Sequence, residues 1–137
     1  EVLNAKSVVL VSPYDGEVDE ACTPYWRDRG LKIVHKLNAT SESGFHPIYS
    51  MHSEAADLAL QSLQDVQADA IVILGTGLPT LPTLLRLHEK MSMPVLSCML
   101  CLGWRAAAVL DASEKSPVRV RHWAQGTDWA CRVKRFG

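Results

Sequence analysis

Apolar residues along this chain fall into short solid runs that alternate with longer periodic stretches. Ser7 to Val11 reads SVVLV, Leu31 to Leu37 centres on Ile33 and Val34, Ala70 to Leu74 reads AIVIL, and Pro94 to Ser97 reads PVLS. Short β-branched runs closed by Gly or Pro predict strands buried on both faces. Between them the period becomes helical. Ala56, Ala59, Leu60, Leu63 and Val66 make one apolar face over Ser50 to about Val66. Further helices are predicted from Asp15 to about Arg29, from Thr80 to about Met91, and over Cys98 to Leu110. Gly30 stops the first of these, and Pro24 inside it predicts a kink or a second short helix from Thr23. Asn38 to Pro47 is polar and reads as a loop long enough to form a lid or a wall. After Asp111 the pattern weakens. Val118, Val120 and His122 alternate with Arg119, Arg121 and Trp123, which predicts an edge strand. Strands and helices in strict alternation predict an α/β three-layer sandwich around a mainly parallel sheet of four to five strands, flavodoxin- or Rossmann-like. Residues 1–112 are expected to form this domain, and residues 113–137 a basic extension.

The stretch from Ala70 to Leu87 is strand, tight turn and helix in one unit. The run breaks at Gly75-Thr76-Gly77 and resumes at Thr80, whose hydroxyl suits a helix cap, with Pro82 in the first turn. In open α/β sheets, ligands bind at such carboxyl-end turns. The free amides of a helix start favour an anion. Gly75 to Thr80 is therefore a candidate floor for a phosphate or carboxylate. The alternative is a plain tight turn that needs small residues. Ser12-Pro13-Tyr14 closes the first strand in the same way, with Asp15 placed to cap the helix that follows.

Composition narrows the functional classes. The chain has 137 residues, enough for one domain, and 47% of them are apolar. No apolar run approaches the roughly 20 residues of a membrane span, and there is no signal-peptide pattern. Glu1 in place of an initiator methionine points to processing or truncation. The net charge of −1 is uneven: Lys115, Arg119, Arg121, Arg132, Lys134 and Arg135 face a single acid, Asp128, beyond residue 114. That stretch matches no nucleic-acid motif, so a solvated or edge-protecting role is expected of it and no nucleic-acid partner. Four cysteines without a disulfide framework point to a reducing, cytoplasmic compartment.

Four stretches together resemble a known family: VVLVSPYDGEV (Val8 to Val18), the strand after Gly30, AIVILGTGLPTLPTL (Ala70 to Leu84) and MPVLSCMLCLGW (Met93 to Trp104). They are similar to the C-terminal half of the maleate cis-trans isomerase and arylmalonate decarboxylase branch of the Asp/Glu racemase superfamily. The resemblance covers roughly Ser7 to Leu110. It implies two similar α/β halves with an active site in the cleft between them, and cysteine chemistry without metal or organic cofactor. It implies that Tyr14 binds a substrate carboxylate and that Thr76 and Gly77 line the pocket with their amides. It also marks departures. The second cysteine of the family falls at Gly75, and the first belongs to an N-terminal half that this chain does not contain. Cys98-Met99 stands where the family commonly has Ser-Asn.

Several side chains keep more than one reading. Cys98 and Cys101 form a C-x-x-C between a strand and a helix, the context of a thioredoxin-like dithiol. They also read as half a zinc site with Cys131 and His122, or as two small residues at a buried helix start. Cys98 is a further candidate to replace the cysteine absent at 75. His46 and His52 are anion contacts or solvated loop residues. Trp123, Trp129 and Phe136 stack on bases or, as favoured here, anchor the tail.

The expected function is a cofactor-independent isomerase or racemase acting on a small, maleate-type dicarboxylate. Its expected catalytic residue is Tyr14 and its substrate-binding residues are Ser12, Pro13, Tyr14, Gly75, Thr76, Gly77 and Thr80, with Cys98 as a possible thiol and no metal. A malonate-type decarboxylase is the nearest alternative, and a non-catalytic carboxylate-binding domain the next. A complementary N-terminal half or partner subunit is expected to complete the cleft. The apolar face left open without it predicts self-association.

Overall fold

β1 (Ser7–Ser12) is the second strand of a four-stranded parallel sheet whose order is β2 (Lys32–Asn38), β1, β3 (Ala70–Ile73), β4 (Val95–Ser97). The computed structural model describes residues 2–39, 51–126 and 129–130, apart from the side chain of His88. From residue 40 the predicted loop lies outside the described residues, as do His46, Cys131 and Phe136. Among the described residues, the helices α1 (Gly16–Arg27), α2 (Ser53–Gln61), α3 (Leu81–Leu87), α4 (Cys98–Leu110) and α5 (Pro117–Ala124) complete the three layers.

The run Val8–Val11 is β-branched or leucine throughout, and the sheet uses both of its faces. Val9 and Val11 join Ile71, Ile73 and Val95 in a core closed by Ala56, Leu60 and Leu63 of the α2 region and Leu84 of α3. Val8, Leu10 and Ala70 face the other way, toward Cys22 and Trp26 of α1. Ser97 caps α4, its Oγ accepting the Leu100 N–H at 3.1 Å. At the amino end of the strands, Asp69 Oδ2 accepts from the Lys6 N–H (2.9 Å), the Ser7 N–H (2.8 Å) and the Ser7 hydroxyl (2.8 Å), tying the start of β1 to the start of β3.

Of the two readings of Pro24, the structure has one continuous helix, α1, in which Pro24 has no N–H for the carbonyl of Glu20. The structure departs from the sequence expectations in three places. Asp15 occupies the cap position of α1 without a side-chain cap bond. The Thr80 hydroxyl donates to Ser97 Oγ at 2.9 Å, a buried bond that links the starts of α3 and α4. Residues 118–123 are not an edge strand. They belong to α5, because Ser116 caps the Arg119 N–H and Pro117 fits a first helical position.

The end of the described chain is bound to the domain through one buried acid. Glu114 is 5% exposed. Its Oε1 accepts from Arg119 Nη2 (2.7 Å), and its Oε2 from Arg119 Nε (3.3 Å) and Trp123 Nε1 (2.9 Å). Its backbone carbonyl accepts from Trp104 Nε1 of α4 at 3.0 Å. Trp129 is buried in the main core and donates Nε1 to the Trp123 carbonyl. The described tryptophans of the basic extension thus anchor it. No helix among the described residues is long and apolar enough to cross a membrane.

Candidate functional site

In this strand order the chain leaves β1 toward one edge of the sheet and β3 toward the other. The two carboxyl ends diverge and leave a crevice, the usual ligand position in doubly wound sheets. Three segments reach it: Tyr14 after β1, Gly75 after β3 and Cys98 at the first position of α4. All three line one cavity of about 280 Å³.

Each is placed by its neighbours. The backbone N–H of Tyr14 donates to Ser12 Oγ (3.3 Å), and its carbonyl accepts from Asn38 Nδ2 at the end of β2 (2.5 Å). Ser12 and Pro13 are buried beneath it and position it without lining the cavity. Gly75 has φ +83°, a left-handed conformation that a side chain resists. This lets the chain turn sharply out of β3. Cys98 is half-buried at the mouth of β4.

The remaining predicted residues stand apart. Thr76 is exposed and Gly77 half-buried, and neither is among the cavity's lining residues. Thr80 is buried, and its hydroxyl is committed to Ser97. His52 is exposed ahead of α2 and makes no cap bond. Among the described residues no group of three or more His, Cys, Asp or Glu could hold a metal ion.

Sequence reasoning missed the other wall. Val18, Ala21, Cys22, Tyr25 and Trp26 of α1 line the cavity, and Leu74 closes its floor. Their spacing of three, four, seven and eight residues is one helical face. That periodicity was the available signal. Tyr25 and Trp26 meet edge to face with centroids 5.5 Å apart, and the Arg29 guanidinium stacks on Tyr25 at 3.5 Å. Behind the cavity, Lys36 pairs with Asp19. Burial raises the Asp19 carboxyl, but hydrogen bonds from Lys36 and Ser12 and the Lys36 charge outweigh it and hold the group below its ordinary value. Cys22 is pushed up, by burial first and by the Asp19 charge second, and its thiol donates to the Val18 carbonyl at 3.3 Å. The cavity is thus largely apolar, and the residues that line it include the phenols Tyr14 and Tyr25 and the thiols Cys22 and Cys98. It suits an apolar group whose polar end stays at the carboxyl edge of the sheet.

A family model for arylmalonate decarboxylase matches residues 1–121. Among solved structures, the chain is similar to a maleate isomerase from Pseudomonas putida S16, a cysteine-to-alanine variant with maleate. That match has 22% identity and a TM-score of 0.69, over 80% of this chain and 44% of that one. It is also similar to an arylmalonate decarboxylase, at 20% identity and a TM-score of 0.58, over 69% of this chain and 42% of that one. The chain spans under half the length of either structure. No curated protein matches it in sequence.

Proposed function

This chain belongs to the arylmalonate decarboxylase family, and from that premise we propose that it contributes one half of a cofactor-independent active site for a small carboxylic acid. The observation that carries the reading is the convergence of Tyr14, Gly75 and Cys98 on one apolar cavity. The acid's apolar substituent fills that cavity, and its carboxylate sits at the rim against the Tyr14 hydroxyl and the turn that starts at Gly75. An apolar lining suits a malonate-type acid with a bulky substituent better than the second carboxylate of a maleate-type acid. Decarboxylation therefore moves ahead of the isomerisation that the sequence favoured.

In the proposed reaction the bond from the α-carbon to one carboxylate breaks and carbon dioxide leaves. The electron pair stays on the α-carbon and spreads into the remaining carboxylate as an enediolate. Hydrogen bonds fixed in a water-poor site stabilise that charge. The Cys98 thiol gives its proton to the α-carbon, and the thiolate regains one from water. Gly75 offers no side chain at the position where the resemblance places a cysteine, which leaves this role to Cys98. The site is completed by a complementary half or partner chain. The chain's span of under half its relatives supports this, as do the exposed Leu102, Val109 and Leu110 of α4.

Gly75 also favours a second reading, a carboxylate-binding domain without catalysis. Proton NMR of the chain in deuterated water with phenylmalonate, maleate and aspartate decides between them. Decarboxylation predicts phenylacetate carrying α-deuterium, reduced by about 100-fold or more in Cys98→Ala. Line broadening without product establishes the binding reading. Turnover unchanged in Cys98→Ala overturns the role given to Cys98.

A further inference from the structure

Cys98 and Cys101 share the first turn of α4. Helix positions three apart have Cα atoms about 5 Å from each other, within the roughly 4.4–6.8 Å that a disulfide spans. Both are free thiols, Cys98 half-buried and Cys101 exposed. They open on different spaces. Cys98 lines the candidate site, and Cys101 lines a second cavity of about 290 Å³ walled by Trp104 of α4 and Trp123 of α5. The backbone between them is pinned, because Ser97 Oγ accepts both the Leu100 N–H (3.1 Å) and the Thr80 hydroxyl (2.9 Å). Cβ atoms three positions apart on a helix lie about 5–6 Å from each other, so closing the bond takes side-chain rotation together with a slight tightening of the first turn. The Cys101 thiol is pushed up, first by burial of its sulfur and then by the neighbouring Cys98.

We propose that Cys98 and Cys101 are a modification site, a reversible disulfide within one helical turn that forms with low-molecular-weight disulfides such as oxidised glutathione. Cys98 attacks one glutathione sulfur and expels the other as a thiolate. Cys101 gives up its proton and displaces the second glutathione from Cys98. Both cysteines are oxidised, one glutathione disulfide is reduced to two thiols, and the protein loses two hydrogens. Closing the bond turns the Cys98 sulfur away from the cavity it shares with Tyr14 and Gly75. The disulfide thereby switches off the site; this consequence rests on the function proposed above, whereas the bond itself does not.

The test is equilibration of the full chain with mixtures of reduced and oxidised glutathione, followed by acid quench, alkylation and peptide mass analysis. The expected result is a Cys98–Cys101 peptide that has lost two hydrogens in most molecules at excess oxidised glutathione and regains them with dithiothreitol. Cys101→Ser is expected to hold one glutathione on Cys98 instead. Two free thiols at positions 98 and 101 under excess oxidised glutathione, or a bond from Cys98 to Cys22, overturns the proposal. Phenylmalonate turnover followed in the same samples reads the consequence. Turnover that falls and recovers in step with the bond supports the switch, and turnover indifferent to the bond overturns it. The peptide masses decide the disulfide whether or not the reduced chain turns over phenylmalonate, so a failure of the proposed function is told apart from a failure of the bond.

Discussion

Truncation of Glu114 probes how firmly α5 is held. Glu114 is 5% exposed, and its carboxylate accepts from the Arg119 guanidinium and the Trp123 indole. Glu114→Ala removes the acceptor and leaves both donors behind. Breaking a fully buried ion pair costs about 3–5 kcal/mol. The Arg119 side chain, however, keeps 28% of its exposure and can turn to water. The loss is therefore set lower, at about 2–3 kcal/mol, largely from the stranded Trp123 N–H and lost charge-assisted bonds. An unfolding entropy of roughly 2.1 cal/mol/K per residue gives about 0.3 kcal/mol/K for a chain of this length, so the melting point should fall by about 7–10 °C. Thermal and urea unfolding followed by circular dichroism measure this directly. The double variant with Arg119→Ala is expected to lose less than the sum of the single changes, by about 1–2 kcal/mol. A Glu114→Ala chain that melts within about 2 °C of the parent, or strict additivity in the double variant, refutes the clamp.

Three further outcomes are expected. The Asp69 carboxylate is held below its ordinary value of 3.8, first by the Lys6 N–H and then by the hydroxyl and N–H of Ser7. Its contribution is present above that ordinary value and is lost as the pH falls through the lower folded value. Asp69→Asn should therefore flatten the acid side of a urea-midpoint profile between about pH 5 and 3, and a profile still as steep would remove Asp69 from the account. Gly75→Ala should destabilise by about 1 kcal/mol or more, because φ is +83° there, and a neutral result in urea titration would contradict that conformation. Thr80→Val deletes the buried bond to Ser97 and should cost about 1 kcal/mol, read from the same titrations; a midpoint shift near zero would show the bond to be dispensable.

The architecture was legible because a buried parallel strand leaves little choice of residue. Val8–Val11 and Ala70–Ile73 are core on both faces, so their apolar runs are solid, and α4 has the predicted bounds, Cys98 to Leu110. The same clarity failed at residues 118–123. Alternating Val and Arg fit a strand, whereas the Ser116-Pro117 start and the acceptor at Glu114 fix a helix. The candidate site was half legible. Turn chemistry located Tyr14 and Gly75 at strand ends, but the α1 wall depends on which way that helix faces, and this is set by the Val8–Leu10 side of the sheet. Thr80 was misread for a related reason. A hydroxyl at a helix start has several partners within reach, and the proximity of β4 decided for Ser97.

The place of β1 in the sheet bears on how the chain is synthesised. This strand comes first in sequence, yet its second edge is met only by β3, whose first residue lies 63 positions after Ser7. At about 5–20 residues per second, translation separates the two by roughly 3–13 s. Once β2 has been made, and until β3 follows, Val9 and Val11 have a partner strand on one side and an open row of amides and carbonyls on the other. The nascent chain thus carries an apolar strand edge of the kind that invites pairing with other chains. A chaperone that shields residues 7–12 until Ala70 emerges would act at the step where this fold is most exposed to misassembly.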